Sequence, residues 1–229
     1  QHIKAILAVY DLFGKEVLEI GCGGGRITRD LAKHAARVVA TDPDPEVVTA
    51  AVANVSAENV EFLSPADGIP DVPHKSFDLA IYTLSLHHVP IQAMQISLQR
   101  VTQLLKDTGV IIVIEPGDGG SFNAARERFS VDSNDEQQAK ASAIYAIQNL
   151  GGWTMGETIY FQTTFLFNDE NDFVTNKRPD FHLLSEPMQR EIVDFLQKHK
   201  TTDGILLGNE RRMNLLQRTT WHGTPSLTF

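Results

Sequence analysis

The sequence predicts an α/β fold built on a mainly parallel sheet with helices on both faces. Three observations carry that prediction. Short apolar runs of strand length alternate with stretches of helical periodicity through the first two thirds of the chain, the signature of βαβ units. One such run, Val17–Ile20, leads directly into a glycine-rich turn, Gly21-Cys22-Gly23-Gly24-Gly25, with a helical stretch behind it. After Pro116 the alternation gives way to longer helices and β-rich stretches.

Each element has its own signal. Ile3, Ile6, Leu7 and Tyr10 recur at helical spacing and place a short helix before the first strand, Glu16–Ile20. Arg26–Ala36 reads as helix and Arg37–Thr41 as the second strand. Asp44-Pro45-Glu46 is a helix start, with Asp44 as N-cap, proline at the first helical position and an acid next. That helix runs to about Asn54, and Val60–Leu63 follows as strand three. Phe77–Tyr82 and Val110–Ile114 are apolar runs of strand length. Between them Ile91, Met94, Leu98, Val101 and Leu105 form a core-facing helical stripe that Gly109 ends. Farther on, Phe122–Phe129, Glu136–Leu150 and Pro187–Lys198 read as helices, Thr158–Phe167 as β-rich, and Met213–Trp221 as a last strand.

Composition bounds the function. At 229 residues, 42% hydrophobic and 21% charged, the chain suits one domain with a substantial core. No apolar run approaches the roughly 18 residues of a membrane span, and no signal peptide opens the chain. Cys22 is the lone cysteine, which excludes an internal disulfide and fits a cytoplasmic setting. A net charge of −9 weighs against a nucleic-acid partner, since Lys and Arg supply most of that affinity. Lys198-His199-Lys200 and Arg211-Arg212 read as helix ends and solvated faces.

The glycine turn narrows the ligand. A dinucleotide fingerprint needs a glycine where Arg26 stands. Glu19, two residues ahead of Gly21, suits a pyrophosphate badly. Like charges about 4 Å apart repel by roughly 1 kcal/mol in water and about 4 at a protein-surface dielectric. A cationic ligand without phosphate fits instead. Asp42, at the end of strand two, can accept hydrogen bonds from both hydroxyls of a ribose, since Asp44 already provides the helix cap.

Glu19-x-Gly21-x-Gly23-x-Gly25 resembles the first motif of class I S-adenosylmethionine-dependent methyltransferases. The segment Ser76–Tyr82 resembles their fourth strand, and Leu86-His87-His88-Val89 is similar to a sequence that type 11 members carry beside the transferable methyl. The resemblance implies a Rossmann-like seven-stranded sheet with an antiparallel last strand. Residues 1–116 would be the cofactor-binding core, and 117–229 would complete the sheet and shape the acceptor site. It implies S-adenosyl-L-methionine as cofactor and S-adenosyl-L-homocysteine as product. Gly21, Cys22, Gly23 and Gly25 would wrap the methionine part, with Glu19 near its ammonium. Asp42 and Pro43 would lie at the ribose, Asp67 and Gly68 at the adenine, and Thr83 beyond strand four. Asp78 reads as a structural acid.

His87 and His88 are the candidate catalytic residues, since a histidine base titrates near neutrality. Adjacent histidines on a helix point about 100° apart and make a poor chelate, and the other histidines lack ligand spacing, so no metal is expected. Glu115, Phe122 and Arg126 are candidates for the acceptor site, with Asp118, Phe129, Phe161, Phe165 and Phe167 nearby in sequence. The expected partner is a small-molecule acceptor. Two other readings remain at this point. One is a non-catalytic S-adenosylmethionine-binding module. The other is an NAD-dependent oxidoreductase, which lacks a Tyr-x-x-x-Lys pair here.

Overall fold

A computed structural model describes residues 1–131 and 136–219. The first half runs α1 (His2–Leu7), β1 (Glu16–Ile20), α2 (Arg26–Ala32), β2 (Arg37–Thr41), α3 (Pro45–Asn54), β3 (Val60–Leu63), β4 (Phe77–Thr83), α4 (Ile91–Leu104) and β5 (Leu105–Pro116). The second half runs α5 (Ser121–Phe129), α6 (Gln137–Gln148), β6 (Trp153–Met155), β7 (Ile159–Phe167), α7 (Glu170–Lys177), α8 (Glu186–Gln197), β8 (Lys200–Thr201) and β9 (Gly204–Arg218). A 3-10 turn, Leu86–His88, follows β4.

All described strands join one sheet, ordered β3-β2-β1-β4-β5-β9-β6, with β7 and β8 also paired to β9. The first five are parallel, and β9 runs antiparallel to β5. The main path thus has the seven positions and the antiparallel last strand expected of the sequence, while β7 and β8 bring the total to nine. The physical reason is the length of β9. Its Ile205–Met213 stretch pairs with β7, and its end, Leu216–Arg218, pairs with β6. One strand therefore serves two neighbours on the same side. The last strand begins nine residues before the predicted Met213 (213 − 204) and ends at Arg218. Trp221, its predicted end, lies outside the described residues.

Local chemistry explains the boundaries. Asp44 caps α3, accepting from the amides of Glu46 at 2.9 Å and Val47 at 3.4 Å. The α2 helix stops at Ala32 rather than Ala36, because Asn59 reaches across to the carbonyls of Ala32 and Ala35 at 2.9 and 3.0 Å and satisfies the helix end. Helix α7 has no apolar stripe to announce it and is set by Asp169, whose carboxylate accepts from the Asp172 amide at 2.8 Å. Asp78 is structural as expected, accepting from the Glu16 amide at 2.9 Å and Lys106 Nζ at 2.8 Å. Gly109 lies within β5, not before it.

Two cores sandwich the parallel strands. Leu18, Ile20, Tyr82 and Val113 meet Met94, Leu98 and Val101 of α4 and Ala143 and Ile147 of α6 on one face. Val17, Val38, Ile81, Ile112 and Ile114 meet Ile6 of α1, Leu31 of α2 and Ala51 of α3 on the other. Neighbouring strand residues alternate between these faces, as the two-residue period requires. A third core, Phe122, Phe129, Phe167, Phe173, Ile192 and Leu196, binds α5, α7 and α8 to the long hairpin of β7 and β9. The first two cores hold the ends of β1, β2 and β4 in a fixed relation, and the site lies there.

Candidate active site

Strand order reverses between β1 and β4, because β2 and β3 lie to one side and β5 to the other. Open α/β sheets bind ligands at the carboxyl ends of the strands at such a point. A cavity of about 690 Å³ occupies it. Gly21, Cys22, Gly23, Asp42, Pro43, Asp67, Gly68 and Thr83, all expected to bind cofactor, line this cavity.

The loop's geometry follows from close approach. Gly21 and Cys22 both donate their amides to the Thr41 carbonyl at 2.8 Å, which pins the turn to the end of β2. Gly21 has φ +75°, and a Cβ there would sit 2.4 Å from the Cβ of Ser85. Gly25, with φ +79°, begins α2 against α3, where a Cβ would come within 2.7 Å of Val55 Cγ2. Glycine is required at both places. Asp42 braces the turn: Gly23 donates its amide to Oδ2 at 3.0 Å and Asp44 donates to Oδ1 at 3.1 Å. Each oxygen keeps a lone pair for a hydroxyl.

Glu19 sits differently from the sequence expectation. It does not line the cavity and lies 1% exposed behind the loop, where Thr28 donates its hydroxyl to Oε2 at 2.6 Å. Burial pushes its carboxyl up to about 8, against a smaller opposing effect of the Thr28 bond. Burial likewise raises the Cys22 thiol to about 12, so Cys22 contributes an apolar, protonated wall. Asp67 accepts from the Ile69 amide at 3.1 Å and is ion-paired to Arg100. Arg100 and its neighbours Ala93, Ile96 and Ser97 form a wall of the cavity that the sequence reading missed. Their i, i+3, i+4, i+7 spacing runs beside the core stripe of α4 and was the available signal.

The two histidines separate in role. His88 is exposed and lines the cavity, whereas His87 is 6% exposed and turns away. His87 Nδ1 is hydrogen-bonded to Glu115 Oε2, and the His87 amide approaches Glu115 Oε1 at 3.4 Å. Glu115 is 1% exposed, so it is a buried partner of His87 and not a solvated loop acid. Partial desolvation against the cavity wall, and then the neighbouring His87, lower the His88 pKa below its usual value. The pair sits on a 3-10 turn with ring centroids 4.0 Å apart, closer than divergent helical neighbours. Donor atoms of His87, His88 and Glu136 lie within 4.8 Å of one another, a grouping with metal-ligand chemistry that was not expected. Glu136 is already shared by Lys140 at 3.2 Å and Arg126 at 3.5 Å, a cationic setting that disfavours a metal ion.

Phe122 is not placed as expected. It is 3% exposed in the third core, stacked on Phe165 at 4.6 Å, and does not line the cavity. Phe129 and Phe167 share that core, while Phe161 packs on the α1 face against His2. Asp118 is exposed. Arg211 is the other departure: it is 6% exposed inside β9, not on a solvated face.

In fold, and in the sequence of its glycine loop, the chain is similar to the class I S-adenosylmethionine-dependent methyltransferases. More narrowly, residues 18–113 match the family described as "Methyltransferase domain". A ubiquinone biosynthesis O-methyltransferase of Xanthomonas oryzae pv. oryzae is 33% identical over 92 residues, which covers 39% of this chain and 38% of that protein. The chain thus spans well under two thirds of that relative's length. Among solved structures, the YcgJ protein of Bacillus subtilis aligns with TM-score 0.60 and 14% identity over 96% of this chain and 100% of that one. A SAM-dependent methyltransferase from Aquifex aeolicus aligns with TM-score 0.50 and 19% identity over 69% and 82%. At such identities the likeness is one of fold. S-adenosylmethionine is the cofactor of this class. The residues fit it: Gly21, Gly23, Asp42, Asp67 and Gly68 line the cavity together, and the Thr83 hydroxyl is buried in its wall with no partner among the described residues.

Proposed function

We propose that this protein transfers a methyl group from S-adenosylmethionine to a small-molecule acceptor, within one domain and without a metal. The observation that carries the reading is the loop of Gly21–Gly25 braced by Asp42 at the switch point of the sheet. Asp42 would hold the ribose hydroxyls, Asp67 and Gly68 the adenine, and the glycine amides the methionine part. Bound there, the cofactor supplies a methyl carbon activated by its sulfonium. The protein's own work is to hold the acceptor atom in line with that carbon and keep water out, which can lower a barrier by roughly 7–11 kcal/mol.

His88 would take the proton from the acceptor heteroatom as the new bond to carbon forms. Its lowered pKa keeps it neutral, and so basic, near pH 7. His87, locked to Glu115, would set its position. Among the described residues no helix is long and apolar enough to cross a membrane. With a net charge of −9, the acceptor is more naturally a small molecule than a nucleic acid.

Calorimetry with adenosylhomocysteine and NADH tests the cofactor. Adenosylhomocysteine is expected to bind and NADH to give no heat; the reverse would point to an oxidoreductase. Asp42→Ala should weaken adenosylhomocysteine by about 10²–10⁴, since each bond to a charged acceptor contributes about 1.5–3 kcal/mol and two are lost. Unchanged affinity would remove the ribose role.

His88→Gln should lower kcat on the acceptor by about 10²–10⁴ while leaving adenosylhomocysteine affinity intact. The wild-type rate should fall as His88 protonates at acidic pH, below the ordinary histidine range, and the variant should lose that limb. A pH profile identical in both proteins would exclude His88 as the base.

A further inference from the structure

Arg211 is a buried cation inside β9. It is 6% exposed, its Nε has no hydrogen-bond partner, and among the described residues no carboxylate forms an ion pair with it. Its position is fixed by the sheet: Arg211 is opposite Pro116 at the carboxyl end of β5 and opposite Phe161 of β7. This places it at the same edge of the sheet as the cavity, beside but outside its lining and one residue beyond Glu115.

The groups around it add to the positive charge. Arg26, which lines the cavity, and Arg126, on α5, are both near enough to lower the Arg211 pKa; burial is the larger cause, and together they bring it to about 10. Glu115 opposes them, but its two oxygens already face the ring and amide of His87. Arg126 shares Glu136 with Lys140. His2 approaches from α1, 3% exposed, with its Nε2 also lacking a partner and its ring stacked edge-on against Phe161 at 5.6 Å. Burial and the charges of Arg26 and Arg211 push His2 down to about 4, so it is neutral and leaves the arginines uncompensated. A chain with a net charge of −9 has thus gathered three guanidinium groups at one edge, and among the described residues the acids beside them, Glu115 and Glu136, are already engaged.

An isolated buried cation costs several kcal/mol, so folding alone does not favour it. The arrangement makes sense if the missing charge arrives with a ligand, and the planar guanidinium fork matches the paired oxygens of an anion such as a carboxylate. We propose that Arg211, flanked by Arg126, is the anion-binding element of the acceptor site, and that the molecule methylated carries a carboxylate. The proposal rests on the methyltransferase reading above and names the class of acceptor within it. Arg26, nearest the glycine loop, is left to the cofactor side.

The test titrates benzoate, with phenol as the neutral control, into the protein saturated with adenosylhomocysteine in a buffer of low anion content. Arg211→Met and Arg211→Lys are compared with wild type. Benzoate is expected to bind wild type at least tenfold more tightly than phenol, Arg211→Met to erase that preference, and Arg211→Lys to retain part of it. Ligand-free Arg211→Met should melt at or above the wild-type Tm, because it removes an uncompensated buried charge. A lowered Tm would mark a structural arginine and overturn the proposal, as would benzoate binding equal to phenol or unchanged in Arg211→Met. Loss of adenosylhomocysteine affinity in Arg211→Met would assign the residue to the cofactor and overturn it equally. If wild type itself fails to bind adenosylhomocysteine, the methyltransferase reading falls, and benzoate titrated into the ligand-free protein still decides whether Arg211 binds an anion.

Discussion

Gly21→Ala is expected to abolish cofactor binding and to destabilise the fold by roughly 2–5 kcal/mol. Two costs combine. A residue with Cβ held at φ +75° loses about 1–2 kcal/mol, and forcing an atom into a filled space typically costs another 1–3. The space is filled because the new methyl would lie 2.4 Å from the Cβ of Ser85. Ser85 has little freedom to retreat, since its hydroxyl donates to the Ile20 carbonyl at 2.6 Å. The loop and the segment after β4 would have to part, and both line the cavity. Denaturant melts and adenosylhomocysteine titration check the two effects separately. Gly24→Ala is the control, because a Cβ there meets only the Asn54 side chain, at 3.7 Å. A Gly21→Ala protein as stable and as avid as wild type would show that the close approach is not needed.

Glu19→Gln should change the pH dependence of stability. The Glu19 carboxyl has its pKa raised from 4.5 in the unfolded chain to about 8 in the fold, chiefly by burial. Below pH 4.5 the group is protonated in both states and costs nothing. As pH rises toward 8 the unfolded chain ionises freely while the folded one resists, so stability is lost across that window. By pH 9 the loss is on the order of 4 kcal/mol. A glutamine keeps an acceptor for Thr28 and does not titrate. The variant should match wild type near pH 4.5 and exceed it increasingly up to pH 8. Urea melts at pH 5, 7 and 9 measure this, and parallel profiles would refute it. Proton release on adenosylhomocysteine binding near pH 7, read from heats in buffers of different ionisation enthalpy, would connect Glu19 to the cofactor's ammonium.

What could be read from the sequence was local. The β1–loop–α2 unit is visible because its determinants are adjacent: apolar strand, glycines that permit positive φ, then a helix. Asp42 and Asp44 are legible for the same reason, one closing a strand and the other capping a helix. The misreadings all depend on distant partners. β9 contains Gly208, Asn209, Glu210, Arg211 and Arg212, which resemble a loop in isolation. It is a strand because β5 and β7 impose their ladders on it. β6 is three residues long and exists only through its pairing with the end of that strand. Arg211 was read as solvated from its charge, but alternation along β9 turns it inward with Asn209 and Met213. The bond of Asp67 to Arg100 depends on where α4 lies over the loop after β3, and spacing along the chain does not carry that. Phe122, a candidate for the acceptor site, is likewise drawn into the third core, where it meets Phe165 of β7.

The reach of β9 bears on how the protein acquires its shape. The strand hydrogen-bonds to β5, β6, β7 and β8, and its partners in β5 lie about a hundred positions earlier along the chain. Until it is synthesised, β5 presents an open edge of apolar residues, Val110–Ile114, to whatever strand is nearby. Closing such distant ladders is slow, because loop entropy must be met before the contacts reward it. The parallel part of the sheet and the antiparallel part are therefore completed in one late event. During that interval the nascent chain depends on dilution or a chaperone to keep its sheet from finding a partner in another copy of itself.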